Sequence, residues 1–372
     1  MKIAVLMDSF KGTLSSIEAC NAVSEGIRDI ICDAEILSVP IADGGEGSIE
    51  AIACSLDCRS VDVEVTGPFS DRKVNACFLW LPSTRVAVVE MAKTAGLPLL
   101  AENELDPLKA TTYGVGELIR AACDLNPSKI LLAVGGSCTV DGGIGAAAAL
   151  GWKFLDSDGR ELVYGGAMLD RIVSIVKPEP FLLPPVEVLC DVDNPLLGEK
   201  GAARIFGPQK GADEASVELL EKGMSNLAEI VKAKLGMDIN VLGAGASGGL
   251  AGGAIAFMNA SLVSGIDTIA DLSNVDKMIL DSDIVVTGEG RFDMQSLDGK
   301  VVSGIAKRAK KHSKPLYVLA GSLEVPKSKL TRYAITDAIG CVDDEFGIDE
   351  VLNFPKQHLK RIASKLASRY MF

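Results

Sequence analysis

Short apolar runs that end at a glycine or a carboxylate recur near both ends of this chain. They lie at residues 3–7, 36–41, 284–287, 316–320 and 338–342. A helix is predicted between the first two runs, because Ser15 followed by Glu18 forms a capping-box signature. Another is predicted over residues 301–311. Short apolar strands that alternate with helices are typical of a parallel sheet covered on both faces.

The middle of the chain follows a different pattern. Strands are predicted over residues 61–65, 74–81 and 86–91 with no helix between them, which indicates an antiparallel element. Beyond residue 91, predicted helices and strands alternate again. We therefore predict an α/β protein with a flavodoxin-like parallel-sheet domain built from residues 1–60 and 281–372. An inserted α/β domain with a mixed sheet should span residues 61–280.

Composition narrows the function classes. The 372 residues carry a net charge of −13, which argues against a nucleic-acid partner. Outside glycine-rich segments, no uncharged apolar stretch reaches the roughly 18 residues of a membrane span. The nine cysteines are odd in number and lack C-x-x-C spacing, so we expect a reducing, cytoplasmic location. With only two histidines, a general base is expected to be Asp, Glu or Lys.

Glycine loops follow four of the predicted strands, at residues 8–12, 42–47, 135–143 and 288–291. Ser9 and Lys11 precede a predicted helix N-terminus, where phosphate groups bind readily, and Arg291 is a second candidate clamp. The candidate backbone donors are Gly44, Gly45, Gly135 and Gly136, with Ser137 beside them. The alternatives are ordinary turns, a solvated lysine and a surface salt bridge. Together the loops predict a site for a phosphate-bearing anion.

Carboxylates at the ends of strands could supply the remaining chemistry of phosphoryl transfer. Asp43, Asp191 and Glu289 are the candidates for Mg²⁺ ligation and for the general base, in an order that the sequence leaves open. The candidate catalytic residues are the carboxylates Asp191 and Asp43 and the lysine Lys11. The Walker pattern G-x-x-x-x-G-K-[ST] is absent, and the dinucleotide fingerprint matches only partly at Gly288 and Gly290.

Nine motifs carry a resemblance to a known family. They are Asp8-Ser9-Phe10-Lys11-Gly12, Ala42-Asp43-Gly44-Gly45-Glu46-Gly47, Thr66-Gly67-Pro68, Thr111-Thr112-Tyr113-Gly114-Val115-Gly116-Glu117-Leu118-Ile119, Gly135-Gly136-Ser137-Cys138-Thr139-Val140-Asp141-Gly142-Gly143, Asn194-Pro195-Leu196, Phe206-Gly207-Pro208-Gln209-Lys210-Gly211-Ala212, Gly243-Ala244-Gly245-Ala246-Ser247-Gly248-Gly249 and Thr287-Gly288-Glu289-Gly290-Arg291. Over essentially its whole length the chain resembles the bacterial type 1 glycerate kinases. The resemblance implies ATP-dependent phosphorylation of (R)-glycerate, usually at the 2-hydroxyl, with Mg²⁺. It also implies a flavodoxin-like domain that carries an inserted α/β domain.

Some positions depart from the family pattern. Cys138 and Val140 stand where the family usually has Ala and Asn, and Phe292 and Ser296 also differ. The loss of Asn at 140 should remove a polar group near a ligand loop. Two alternatives from other classes are a non-catalytic sensor of a sugar acid and a nicotinamide-dependent dehydrogenase. We expect glycerate and ATP as partners, no nucleic acid and no membrane, and the sequence is compatible with a homodimer.

Overall fold

The computed structural model describes residues 1–162, 164–180, 182–297 and 300–371. The described strands are β1 (Lys2–Met7), β2 (Glu35–Ser38), β3 (Arg59–Thr66), β4 (Lys73–Leu81), β5 (Val86–Glu90), β6 (Lys129–Ala133), β7 (Lys153–Leu155), β8 (Glu161–Leu162), β9 (Ser174–Val176), β10 (Val186–Leu189), β11 (Ser261–Val263), β12 (Ile284–Phe292), β13 (Leu316–Leu323) and β14 (Asp337–Gly340).

The described α-helices are α1 (Ser16–Arg28), α2 (Ser48–Ser55), α3 (Ala92–Ala95), α4 (Tyr113–Cys123), α5 (Ile144–Ala149), α6 (Ala202–Phe206), α7 (Glu214–Leu235), α8 (Leu250–Met258), α9 (Gly265–Leu272), α10 (Val275–Leu280), α11 (Val301–Lys311), α12 (Lys327–Leu330), α13 (Ile348–Asn353) and α14 (Pro355–Tyr370). Short 3₁₀ turns lie at Leu97–Leu99, Glu102–Glu104, Gly166–Arg171, Pro208–Lys210, Met294–Leu297 and Thr331–Tyr333. None of the helices in the described ranges combines the length and the apolar composition needed to cross a membrane.

The chain divides into two compact units. The terminal unit comprises Met1–Asp43, Glu50–Leu56 and Ile266–Phe372, and the middle unit comprises Gly44–Ile49 and Asp57–Gly265. Each unit has its own sheets and its own hydrophobic core, and each is described separately below.

The terminal unit is built on a five-stranded parallel sheet. Its order is β2-β1-β12-β13-β14, and every neighbouring pair is parallel. Counted along the chain within this unit alone, the strands lie in the order second, first, third, fourth, fifth. The predicted parallel sheet from the two ends of the chain is therefore confirmed.

Helices cover both faces of this sheet, because side chains alternate along each strand. On β1, Ile3 and Val5 pack into the cluster that contains α1 and α14, whereas Ala4 and Leu6 pack into the cluster that contains α11. Each fully buried Ile, Val or Leu side chain contributes about 1.5–3 kcal/mol. The apolar runs of the sequence are thus buried on two sides.

The capping box predicted for α1 is confirmed. The backbone N–H of Glu18 donates to Ser15 Oγ at 3.2 Å, and the backbone N–H of Ser15 donates to Glu18 Oε2 at 2.9 Å. These two contacts use donors that a helix N-terminus would otherwise offer to an anion. The lysine charge is therefore the clearer anion-binding feature of the 8–12 loop.

Residues 288–291 form a strand, so the loop predicted there is wrong. β12 continues through Gly288 to Phe292, and Glu289 and Arg291 pair with Ala320 and Ser322 of β13. A Cβ at Gly288 would lie 1.8 Å from Leu319 O, so only glycine allows the neighbouring strand to come this close. The pairing with β13 extends the strand beyond the apolar run.

The second predicted strand also ends earlier than expected. β2 stops at Ser38 rather than at Ile41. Beyond Ser38 the chain still contacts β1, because the backbone N–H groups of Val39 and Ile41 donate to Val5 O at 3.0 Å and to Met7 O at 2.9 Å.

The middle unit contains a mixed six-stranded sheet in the order β11-β10-β6-β5-β4-β3. The β3–β4 and β4–β5 pairs are antiparallel, as the sequence predicted, and the other pairs are parallel. A small antiparallel sheet, β8-β7-β9, was not predicted. The carboxyl ends of β5, β6 and β10 carry the glycine and carboxylate motifs of this unit.

Candidate active site

A cavity of about 340 Å³ opens in the terminal unit where β1, β12, β13 and β14 approach their carboxyl ends. We call it the terminal cavity. Its polar lining residues include Asp8, Ser9, Lys11, Thr13, Asp43, Glu289, Arg291, Asp293, Lys300 and Ser322. Open parallel sheets bind ligands at this edge, and small-molecule pockets begin at about 300 Å³. The cavity therefore has the position and size of a ligand site.

Three carboxylates, Asp8, Asp43 and Glu289, line this cavity and repel one another. Burial raises the pKa of Asp8 well above its usual range, and the charge of Asp43 raises it further. The backbone N–H of Ser9 donates to Asp8 Oδ1 at 2.6 Å and opposes that shift. Burial raises the pKa of Glu289 to about 7. A proton or a cation in the cavity would relieve this repulsion.

One buried carboxylate oxygen of the cavity is available to a hard cation such as Mg²⁺. Glu289 Oε1 is buried and has no hydrogen-bond partner among the described residues. Within the described ranges, no three His, Cys, Asp or Glu side chains are grouped closely enough to enclose a metal ion. Mg²⁺ is usually held by one or two carboxylates together with substrate phosphates and water. Asp43 and Glu289 could therefore hold it only with a bound phosphate.

Cationic side chains stand beside these carboxylates. Lys11 is exposed, and its charge lowers the pKa of Asp8, whereas the charge of Lys300 lowers that of Glu289. Arg291 is mostly exposed, with Nη2 2.8 Å from Glu324 Oε2 and Nε 3.5 Å from Asp293 Oδ2. An anionic ligand could pair directly with Lys11 but would have to compete with two carboxylates for Arg291.

We predict that Lys11→Ala weakens the binding of ATP or glycerate without unfolding the chain. One charge-assisted contact to a phosphate or carboxylate is worth about 1.5–3 kcal/mol, so the affected affinity should fall about 10- to 100-fold. The lysine is exposed, so little core packing is lost. Titration calorimetry with each ligand measures the change.

Lys307→Ala is the matched control, because Lys307 is an exposed lysine of α11 and is not among the residues that line the terminal cavity. Its ligand affinities should equal those of the wild type. If Lys11→Ala also keeps both affinities, Lys11 is only a surface charge.

In the middle unit, two glycine loops pack directly against each other. The backbone N–H of Gly135 donates to Gly44 O at 3.3 Å, and a Cβ at Gly135 would lie 2.4 Å from Gly45 Cα. A Cβ at Gly44 would lie 2.7 Å from Leu189 Cβ at the end of β10. At least part of the glycine requirement is therefore backbone packing rather than approach to a ligand.

Gly136 has φ +76°, a left-handed conformation that favours glycine. This conformation supports the tight-turn interpretation of the glycine pair, the alternative to close ligand approach. The turn carries the chain into Ser137, whose side chain is buried.

A buried lysine holds the segment that follows this turn. Lys210 Nζ donates to Ser137 Oγ at 2.6 Å and to Thr139 O at 2.7 Å. Lys210 is buried, and burial lowers its pKa to about 8, while nearby Cys138 and Asp141 favour its charged form. Sequence reasoning assigned it no role, although it lies within a family motif. The lysine fixes the position of the Ser137 hydroxyl.

Asp191 follows β10 at the same sheet edge as the glycine turn. β6 and β10 are parallel, with Ala133 opposite Leu189, so Gly135 and Asp191 each lie two residues beyond paired positions. Asp191 Oδ1 accepts a hydrogen bond from the backbone N–H of Gly265 at 3.0 Å. Asp191 is half-buried, whereas Asp193 is exposed.

The sequence-predicted site residues fall into two groups. The terminal unit brings together Ser9, Lys11, Asp43, Glu289 and Arg291 around one cavity. The middle unit holds Gly44, Gly45, Gly135, Gly136, Ser137 and Asp191 at or near the carboxyl ends of β6 and β10. Sequence reasoning also left Asp8 and Glu90 without a role. Glu90 is buried and accepts hydrogen bonds from the backbone N–H groups of Gly47 and Ile49.

Comparison with known proteins identifies the family. A family model described as "Glycerate kinase family" matches residues 3–371. The chain belongs to the glycerate kinase family. Glycerate 2-kinase of Escherichia coli strain K12 is 42% identical over 357 residues, which cover 95% of this chain and 90% of the relative. Glycerate kinase of Bacillus subtilis strain 168 is 37% identical over 372 residues, with 99% and 97% coverage.

A solved structure agrees with this assignment. The structure, described as glycerate kinase 2 from Salmonella typhimurium LT2, has a TM-score of 0.82 and 37% identity to this chain. The match covers 99% of this chain and 97% of that one. The chain is thus a small-molecule kinase with an α/β fold, and membership of a kinase family implies the use of ATP.

The position of Val140 explains one departure from the family pattern. Val140 is fully buried and packs in the hydrophobic cluster that includes Ile144, Phe154 and Leu220. An apolar side chain suits that environment. The side chain at 140 is thus part of the hydrophobic core of the middle unit, and the effect of this departure on substrate choice stays a prediction.

We predict that Glu289→Gln stabilises the protein at pH 8 but not at pH 4.5. Burial raises the pKa of Glu289 in the folded state from its ordinary value of 4.5 to about 7, so the folded state binds this proton more tightly. The stability that it contributes is complete below about pH 4.5 and is lost as the pH rises through 7. The difference corresponds to up to about 3 kcal/mol.

Urea unfolding of both proteins at pH 4.5 and pH 8 measures this difference. Glu345→Gln replaces an exposed glutamate of the same unit and should leave the pH dependence unchanged. An equal response of Glu289→Gln and wild type to pH would mean that the pKa of Glu289 is the same in the folded and the unfolded state.

Proposed function

We propose that the protein phosphorylates (R)-glycerate with ATP at the 2-hydroxyl group, giving 2-phosphoglycerate and ADP. The observation that carries this proposal is the family match over residues 3–371 together with relatives named glycerate kinase or glycerate 2-kinase. We further propose that the chain is a type 1 member. We also propose a cytoplasmic location, and the absence of disulfides among the described cysteines supports it.

We also propose that residues 1–60 and 281–372 form a flavodoxin-like domain, with residues 61–280 inserted. The strand order second-first-third-fourth-fifth of the terminal unit supports this proposal, because flavodoxin-like sheets have that order. Ligands of such sheets bind beyond the carboxyl ends of the strands, where the terminal cavity lies.

In this reaction, Ser9, Lys11 and Arg291 would bind anionic groups of the substrates. Gly44, Gly45, Gly135 and Gly136 would shape the loop that presents Ser137. Asp191 would accept the proton of the 2-hydroxyl group of glycerate. The oxygen of that hydroxyl would attack the γ-phosphorus of ATP while the bond from the γ-phosphorus to the oxygen of the β-phosphate breaks. Asp43 and Glu289 would ligate Mg²⁺ in the terminal unit, and Asp191 remains a third candidate. Bound Mg²⁺ would neutralise charge on the phosphate oxygens.

Phosphorus NMR of a reaction with ATP, Mg²⁺ and D-glycerate tests the proposal. We expect equal amounts of ADP and 2-phosphoglycerate, no turnover in excess chelator, and recovery with Mg²⁺ but less with Zn²⁺. A 3-phosphoglycerate signal would overturn only the position of transfer. Binding of glycerate without ATP consumption would indicate the non-catalytic sensor instead. L-Glycerate serves as the control for the configuration of the substrate.

A further inference from the structure

The lining of the terminal cavity divides by the strand that each residue follows. The charged residues belong to or follow β1, β2 and β12, whereas a group of apolar residues follows β14, on the other side of β13 in the sheet. We call these two parts the polar end and the apolar end. The polar end carries Asp8, Lys11, Glu289 and the other charged residues described above. The other end is lined by Val342, Ile348, Val351, Leu352 and Pro355, all of them apolar. A single ligand that fills the cavity must therefore combine a charged part with an apolar part.

The apolar end is formed largely by one face of α13 and the residues next to it. Ile348 and Leu352 are four residues apart on this helix and therefore lie on the same face. Each is 54% exposed, while Val351 beside them is buried. These two large side chains keep substantial apolar surface in solvent next to a cluster of charges. An occupant that covers them would gain from the removal of that surface from water.

We propose that this apolar end binds the base of the nucleotide, with the phosphates directed to the polar end near Ser9, Lys11 and Lys300. The inference rests on the proposed function, because it takes ATP as the phosphate donor. A purine has flat apolar faces and is joined through a ribose to a polyphosphate. Nucleotides thus match both ends of one cavity.

Glycerate matches the apolar end poorly. It has three carbons, each of which carries an oxygen, so it offers almost no surface that Ile348 and Leu352 could cover. Binding it there would strip water from polar groups without new hydrogen bonds from these side chains. The polar end suits a carboxylate or a phosphate equally well, so the apolar end is what distinguishes the nucleotide.

The test compares ligands that share phosphates but differ in the base. Titration calorimetry with Mg²⁺ measures the dissociation constants of ADP and of inorganic tripolyphosphate for wild type and for Leu352→Ser. We expect Leu352→Ser to weaken ADP binding about fivefold, and Ile348→Ser/Leu352→Ser to weaken it tenfold or more. Tripolyphosphate binding should stay within about twofold in both variants. Serine is uncharged, so it leaves the charge of the polar end unaltered.

Leu280→Ser is the matched control. Leu280 is 55% exposed, belongs to the same unit at the end of α10, and is not among the residues that line the cavity. It should leave ADP binding unchanged, and thermal melting confirms that all variants are folded. The comparison of Leu352 with Leu280 separates loss of a base contact from general effects of an exposed leucine.

Three results would overturn the proposal. Unchanged ADP binding in the double variant would place the base elsewhere. Equal weakening of ADP and tripolyphosphate would show that α13 acts on the phosphates. Weaker binding of D-glycerate with intact ADP binding would assign the apolar end to the acceptor. If the wild type binds ADP but transfers no phosphate to glycerate, the proposed function is refuted. The binding measurements on the variants would still decide whether the apolar end binds the base.

Discussion

Asp191→Asn should lower kcat about 10²- to 10⁴-fold, because general-base catalysis typically contributes a factor in this range. The KM for glycerate should change much less. Asp191 lies just beyond β10, at the sheet edge that also carries the Gly135 turn. Its Oδ1 accepts the N–H of Gly265, and the amide oxygen of Asn can keep that contact. The substitution therefore removes proton acceptance while preserving shape. Steady-state kinetics with saturating ATP and varied glycerate measures both constants.

Asp193→Asn is the control for this prediction, since Asp193 is two residues away and exposed. It should keep a nearly wild-type kcat. If both variants lose activity equally, we infer that the two carboxylates act together on a metal ion. If Asp191→Asn retains wild-type kcat, the base lies elsewhere, and Asp43 or Glu289 becomes the candidate to test next.

Lys210→Met should reduce kcat/KM about 10- to 100-fold. The substitution keeps the apolar stem but removes the donor that holds Ser137 Oγ and Thr139 O, and a hydrogen bond from a charged group is worth about 1.5–3 kcal/mol. Methionine also removes a buried charge, which offsets part of the cost to folding. We therefore expect activity to fall more than stability, as shown by kinetics and urea unfolding on the same samples.

A double-mutant cycle tests whether Lys210 acts through Ser137. If it does, Lys210→Met added to Ser137→Ala should cause little further loss of kcat/KM, because the contact is already gone. Additive losses would contradict that mechanism. A pH series gives a second signature. The pKa of Lys210 is lowered to about 8, so its contribution to stability improves as the pH rises from about 8 to 10.5, and Lys210→Met should abolish that trend.

Much of the terminal unit could be predicted from the sequence. Each of its strands contains a short run of apolar residues, and the Ser15–Glu18 capping box marks the start of α1 through contacts only three residues apart. Such features depend on neighbouring residues alone. The extension of β12 through Glu289 could not be predicted, because it depends on a ladder with β13 in which Glu289 lies opposite Ala320. Local propensity for Gly-Glu-Gly favours a turn.

The candidate site also combines features that the sequence predicted with features that only the fold decided. The sequence selected Ser9, Lys11, Asp43, Glu289 and Arg291, and the fold brings them to one cavity, because the carboxyl ends of neighbouring parallel strands meet at one edge. What each side chain can do there was decided by its surroundings. Arg291 faces two carboxylates, whereas Glu289 is buried with one oxygen unpaired. These surroundings come from residues that lie elsewhere in the sequence.

By itself the sequence determined the apolar runs of the strands, the caps of the helices and the motifs that carry the family resemblance, since all of these are written in adjacent residues. Only the tertiary structure decided which polar groups are buried and what they contact. Lys210 has the sequence context of a surface lysine, between Gln209 and Gly211, yet it is buried against Ser137, which is 73 positions away. Burial and long-range hydrogen bonds depend on how distant segments pack, and that packing sets the charge and position of the groups that do the chemistry.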